Sequence, residues 1–175
     1  MTVEIDLLIL GLGNVLCGDD GLGVMAVHQL EERYDAPQGV RVVDGGTLGL
    51  ALLPLLHEAR AVLMIDAIRC EDAPGAVVRL EGADVSPAVR ERLSPHDIGV
   101  ADLLDAAELL GCSPTKIMLL GLVPNRMDLG IGLSSGVEAG MPALIDSILG
   151  EAAALGHVLR PKAQRGVSDG ARLWA

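Results

Sequence analysis

Short, unbroken apolar runs alternate along this chain with stretches whose apolar residues recur at helical spacing. Leu7, Leu8, Ile9 and Leu10 are continuous, the pattern of a strand covered on both faces. They predict a strand over Val3–Gly11. Val24, Val27, His28 and Leu30 predict a helix over Asp20–Tyr34, ended by Asp35-Ala36-Pro37. Val40–Asp44 reads as a second strand, closed by Gly45-Gly46. Thr47 is placed to cap a helix reaching about Glu58, which Pro54 is expected to kink or shorten. Ala61–Asp66 reads as a third strand, and Val77, Val78 and Leu80 as a short one after the Ala73-Pro74-Gly75 turn. Ser94, Pro95 and Asp97 suit the cap and first turn of a helix over Ile98–Leu110. Ile117–Val123 gives a further strand. The last helix is expected over Ser135 to about Leu155, with Ser135 and Glu138 at the spacing of a capping box. Strands alternating with helices predict βαβ units and an α/β fold with a mainly parallel sheet covered on both faces.

The organising stretch is Leu7–Gly23, in which a buried strand runs into a glycine turn and then two adjacent carboxylates, Asp19 and Asp20, at a helix start. Ligands in open α/β sheets bind beyond the carboxyl ends of the strands, so a site is expected here. A dinucleotide fingerprint would need glycines at positions 11, 13 and 16; the third is Leu16, although Asp44 stands where a ribose-binding acid would. Electrostatics argue against that reading. A pyrophosphate would rest on a helix N-terminus that already carries Asp19 and Asp20, each repelling it by roughly 1 kcal/mol even in water. A turn that repels anions attracts cations.

Composition narrows the function further. At 175 residues the chain is long enough for one domain with a proper core, expected over residues 1–156. The net charge of −11 argues against nucleic acid or an anionic membrane as partner. One Trp, one Tyr and no Phe leave few platforms for stacking bases. Cys17, Cys70 and Cys112 are odd in number and lack C-x-x-C pairing, which suits a reducing compartment; Cys17 reads as a small apolar filler before it reads as a reactive thiol. No apolar stretch is long enough to span a membrane, and the expected location is cytoplasmic. Residues 157–175 form a basic tail, with Arg160, Lys162, Arg165 and Arg172 against Asp169, and are expected to be poorly ordered.

Three groups converge in this topology. Asp20 opens the first helix, Asp66 closes the third strand, and His96 falls in the first turn of the helix capped by Ser94. Helix starts and strand carboxyl ends lie on one side of a parallel sheet, so two carboxylates and an imidazole face a common point. That set suits a borderline divalent cation with positions open to water or substrate. Asp19 reads as a helix cap before it reads as a ligand. His28, His57 and His157 read as structural, and Asp44 as either a supporting group or a turn residue. A carboxylate at the end of a buried strand, as Asp66 is, requires a partner.

Taken together, Gly11-Leu12-Gly13-Asn14-Val15-Leu16, Asp19-Asp20-Gly21-Leu22-Gly23, Asp44-Gly45-Gly46-Thr47, Ile65-Asp66-Ala67, Leu93-Ser94-Pro95-His96-Asp97-Ile98-Gly99 and Gly121-Leu122-Val123-Pro124 resemble, in content and order, the hydrogenase maturation endopeptidases. The resemblance covers about residues 5–155. It implies a three-layer α/β/α sandwich with a twisted, mainly parallel sheet of about five strands. It also implies an endopeptidase that removes the C-terminal peptide of the large-subunit precursor of a nickel–iron hydrogenase. The implied catalytic and metal-binding triad falls on Asp20, Asp66 and His96, Asp20 standing where many members carry Glu. The implied metal is nickel carried by the substrate, with no tightly bound cofactor of the protease's own. Cleavage would follow a His or Arg three residues after the last nickel-binding cysteine of the client. Two mechanisms fit that triad: Lewis-acid activation by the nickel, or an aspartate acting as general base on water. Asp44 with Gly45-Gly46 is expected to position the substrate backbone. A non-catalytic metal carrier with the same ligands and a nucleotide-binding α/β enzyme are the competing readings, with a zinc hydrolase behind them.

Overall fold

The computed structural model describes residues 5–85 and 98–163. Its centre is a five-stranded sheet made by β1 (Ile5–Leu12), β3 (Val40–Gly46), β4 (Ala59–Ala67), β5 (Val77–Glu81) and β6 (Lys116–Leu122), in the order β3-β1-β4-β6-β5. All neighbours are parallel except the β5/β6 pair at one edge, which is antiparallel. A two-residue strand β2 (Tyr34–Asp35) pairs separately with β7 (Arg160–Pro161).

The apolar runs are continuous because helices cover both faces. Leu7, Ile9, Leu63, Ile65, Met118 and Leu120 point to one face, where α1 (Leu22–Arg33) and the last helix, α4 (Ser135–Ala154), pack. Leu8, Leu10, Val62, Met64 and Leu119 alternate to the other face and meet α2 (Leu53–Glu58) and α3 (Ile98–Leu109). A strand with two dry faces gains nothing from a polar alternate, so its sequence loses the period-2 pattern.

The connection from β1 through α1 to β3 runs over one face, and those from β3 through α2 to β4 and from β5 through α3 to β6 run over the other. The chain leaves β1 toward one edge of the sheet, to β3, and leaves the adjacent β4 toward the other edge, to β5, so a crevice opens between their carboxyl ends. Gly23, on the first turn of α1, lets the helix approach this crevice. A Cβ there would overlap the carbonyl oxygens of Ile65 and Leu12.

Local expectations hold in outline and shift at element ends. The first helix begins at Leu22, because Gly18–Gly21 forms a single 3₁₀ turn before it. Pro54 does not kink a longer helix: a 3₁₀ turn over Gly49–Leu52 precedes α2, and Pro54 sits in the first turn of α2, where its missing N–H is harmless. Thr47 does not cap it. Ser134 rather than Ser135 is the N-cap residue of α4, and its side chain makes no bond to its own helix. The start of the tail is anchored: Leu159 is buried, β7 pairs with β2, and the Lys162 N–H donates to the Arg33 carbonyl. Residues 164–175, including Arg165, Asp169 and Arg172, lie outside the described residues, as do Ser94, Pro95, His96 and Asp97.

Replacing Gly23 with Ala should push α1 off the sheet and lower stability by about 1–3 kcal/mol, the range for overpacking. Urea unfolding of the two proteins would measure it.

Candidate active site

The crevice between β1 and β4 holds three aspartates. Asp19, Asp20 and Asp66 are the buried charged residues of the described chain, at 0%, 1% and 0% exposure. Such burial is expensive for a carboxylate unless something compensates it, and each is compensated differently.

Asp19 is fully engaged. Its Oδ1 accepts the Ser134 N–H at 2.6 Å. Its Oδ2 accepts the Asn125 N–H at 2.8 Å, the Arg126 N–H at 2.9 Å and the Ser134 hydroxyl at 2.8 Å. Burial works against its ionisation, but these bonds outweigh it and hold the carboxyl below its ordinary 3.8. Asp19 thus caps a distant loop and the start of α4, not the helix that follows it. Backbone bonds extend the seam: Asp19 N–H to the Arg126 carbonyl, Gly18 N–H to the Gly130 carbonyl and Gly130 N–H to the Leu16 carbonyl. Cys17 is buried inside this seam, and its backbone forms a parallel bridge with Gly130. It fills space there, as the sequence suggests.

Asp20 is only half engaged. Its Oδ2 accepts the Asn14 N–H at 2.9 Å, while Oδ1 is buried with no hydrogen-bond partner among the described residues. The turn that presents it is tight. Gly13 has φ +108°, and a Cβ on it would overlap the Asp20 carbonyl and lie 3.6 Å from Asp66 Oδ1. Gly13 is therefore wedged between the two aspartates, and the left-handed position falls on it and not on Asn14. Asn14 instead accepts the Leu16 N–H on its own side-chain oxygen at 3.0 Å, a local turn bond.

Asp66 is the penultimate residue of β4, opposite Gly121 on β6. Its Oδ1 accepts the Ala67 N–H at 2.7 Å. The structure thus brings Asp20 and Asp66 to one crevice. His96, the third expected member, lies outside the described residues. Among the described residues no group of three or more His, Cys, Asp or Glu is arranged to hold a metal.

Comparison with known proteins shows which family the chain belongs to. A family model of hydrogenase maturation proteases matches residues 24–151. The hydrogenase 2 maturation protease of Escherichia coli K12 is 36% identical over 144 residues, 82% of this chain and 88% of that protein. The chain belongs to the hydrogenase maturation protease family. It is accordingly a peptidase. The hydrogenase expression/formation protein HupD of Rhodobacter capsulatus is 40% identical over 123 residues, 69% of this chain and 58% of that protein. Among solved structures, the maturating endopeptidase HybD of E. coli superposes with a TM-score of 0.85 at 34% identity, over 90% of this chain and 98% of that one. The three-layer α/β/α sandwich implied by the resemblance is the fold observed. A maturation protease HybD of Thermococcus kodakarensis, 31% identical, follows at 0.66 over 82% of this chain and 97% of that one.

Asp44 and His28 form a pair that the sequence reading missed. His28 Nε2 lies 2.9 Å from Asp44 Oδ2, with both side chains about half exposed. His28 stands on α1 and Asp44 near the end of β3, so helix spacing alone gave no hint of it. The sequence reading also missed residues 124–134, whose backbone supplies three of the four Asp19 donors. Their glycines and single polar residues carried no pattern.

The two adjacent aspartates should respond oppositely to amidation. Asp19→Asn loses charge-assisted bonds from buried N–H groups and should cost about 3 kcal/mol. Asp20→Asn keeps one oxygen for Asn14, removes a buried charge, and should melt at or above the wild-type temperature. Thermal unfolding of both variants, without added metal, checks this pair.

The sign of the pH effect also follows. The Asp19 carboxyl is depressed in the folded state, so its stabilisation is present above 3.8 and is lost as pH falls through the lower folded value. The wild type should lose stability more steeply than Asp19→Asn below pH 3.8. Denaturant melts across acidic pH would show it.

Proposed function

We propose that this protein is the endopeptidase that removes the C-terminal peptide from a nickel-loaded hydrogenase large-subunit precursor, with the substrate's nickel as recognition signal. The observation that carries the reading is Asp20 Oδ1, a carboxylate oxygen buried beside Asp66 with no protein hydrogen-bond donor among the described residues. A buried oxygen of this kind is made good by a cation or a proton brought by something that binds. The donor set of two carboxylates and the His96 imidazole suits nickel or another borderline divalent ion. No resident cofactor is required, since the ion arrives with the client.

Asp20, Asp66 and His96 would then hold the client's metal-loaded segment so that the peptide beyond it enters the crevice. Nickel held there would polarise the scissile carbonyl or lower the pKa of a water. Alternatively, Asp20 or Asp66 would take a proton from the attacking water and return it to the leaving amine, as a carboxylate base does. In both schemes the seam around Asp19 fixes the loop that flanks the crevice, and Gly13 holds Asp20 against it. The His28–Asp44 pair lies on the β3 side of the same edge, where Asp44 would position the client backbone.

The deciding experiment compares processing of nickel-loaded and nickel-free precursor by the purified protein, following the loss of C-terminal mass. The expected outcome is cleavage of the loaded form alone, reduced about a hundredfold or more in Asp20→Asn, Asp66→Asn and His96→Ala. Cleavage of both forms would remove nickel as the signal. Cleavage of neither, with metal still bound, would leave a metal carrier. Asp44→Ala should slow processing of the loaded precursor, and full activity in that variant would remove its positioning role.

A further inference from the structure

The carboxyl edge of the sheet holds one feature that the cleavage chemistry does not use. Directly beyond β4 and β6, Arg69 and Arg126 line a cavity of about 460 Å³ together with Pro124, Asn125, Met127 and Asp128. Its wall is continuous with the crevice, since the Arg126 and Asn125 N–H groups donate to Asp19 and Arg69 lies three residues after Asp66.

In a chain of net charge −11, cations have many carboxylates to choose from. Arg41, Arg60 and Lys116 each pair with one, and Arg79 with two. Among the described residues Arg69 and Arg126 do not. Arg69 Nη2 donates to Met127 Sδ at 3.4 Å, and Arg126 Nη2 to the Gly132 carbonyl oxygen at 3.4 Å. Among the described residues Asp128 is the one carboxylate in the lining, so positive charge exceeds negative among them. Two guanidinium groups held apart from carboxylates are a site for a carboxylate, which each can grip with two N–H bonds.

The adjoining surface indicates that this carboxylate belongs to a polypeptide and not to a free anion. In the parallel bridge between Cys17 and Gly130, side chains alternate, so Leu16, Leu129 and Ile131 fall on the face opposite buried Cys17. They are 56%, 87% and 86% exposed, an apolar ridge whose Leu129 and Ile131 stand on the loop that lines the cavity. A small ion would meet only the arginines, whereas a peptide chain would meet both.

We propose that the Arg69–Arg126 cavity binds a carboxylate of the polypeptide client, with the Leu16–Leu129–Ile131 ridge receiving apolar side chains of the same segment. The inference rests on the reading of this edge as the cleavage site of that client. Either an acidic side chain or a chain terminus supplies the group.

The test has two readouts. In the first, the side-chain Nε–Hε signals of Arg69 and Arg126 are followed by NMR during titration with three blocked tripeptides. One has a central glutamate and an amidated end, one is trialanine with a free terminal carboxylate, and the control is trialanine amide. Saturable shifts with an acidic peptide, weakened by salt and absent from the R69Q/R126Q variant, are expected. Which of the two acidic peptides acts identifies the source of the carboxylate. No shift with either, or equal shifts with the neutral control, would overturn the proposal. In the second readout, R69Q/R126Q should raise the KM for precursor processing about tenfold with kcat little changed, and an unchanged KM would overturn it. Absence of processing by the wild type would instead sink the peptidase reading and the proposed client, while the titration still decides the anion site.

Discussion

The crevice depends on one buried carboxylate whose two oxygens are taken up by protein donors. Asp19 gathers three backbone N–H groups and a hydroxyl from residues 125, 126 and 134, more than a hundred residues away in sequence. Buried backbone donors must be satisfied, and the 124–134 loop turns Leu129 and Ile131 to solvent and has only Met127 and Leu133 packed against the core. One ionised side chain answers both needs. It pins the β6–α4 loop to the turn after β1 and so shapes one wall of the crevice.

That arrangement explains why two adjacent aspartates can differ so completely. Asp19 turns toward the loop and finds four donors, whereas Asp20 turns toward β4 and finds one. The 3₁₀ turn over Gly18–Gly21 separates their directions, and Gly13 leaves room for the Asp20 backbone. A carboxylate with both oxygens engaged thus stands next to one with a single engaged oxygen among the described residues.

The rest of the carboxyl edge is graded in charge. Acidic groups cluster at the β1/β4 crevice, an imidazole–carboxylate pair lies toward β3, and arginines free of ion pairs among the described residues lie toward β6. A polypeptide crossing this edge from β3 to β6 would meet polar, cation-seeking and cationic zones in that order. Such a sequence of zones can select one client among many acceptable peptide bonds.

Much of this was legible in the chain itself. Runs such as Leu7–Leu10 and Leu63–Ile65 admit one solution, a strand dry on both faces, and alternation with helices then fixes a parallel sheet. From a parallel sheet it follows that Asp20 and Asp66 share an edge, because helix starts and strand ends do. Side-chain partners were not legible. Asp19 looked like a cap for its own helix, Ser135 like the cap of the last one, and His28 like a bystander. Each depends on groups brought together from distant parts of the chain: Asp19 with residues 125–134, Ser134 with Asp19, and His28 with Asp44. Local periodicity reports which face of an element is dry. Only the tertiary structure decides which buried donor meets which acceptor, because that choice is made by backbone groups carrying no sequence pattern.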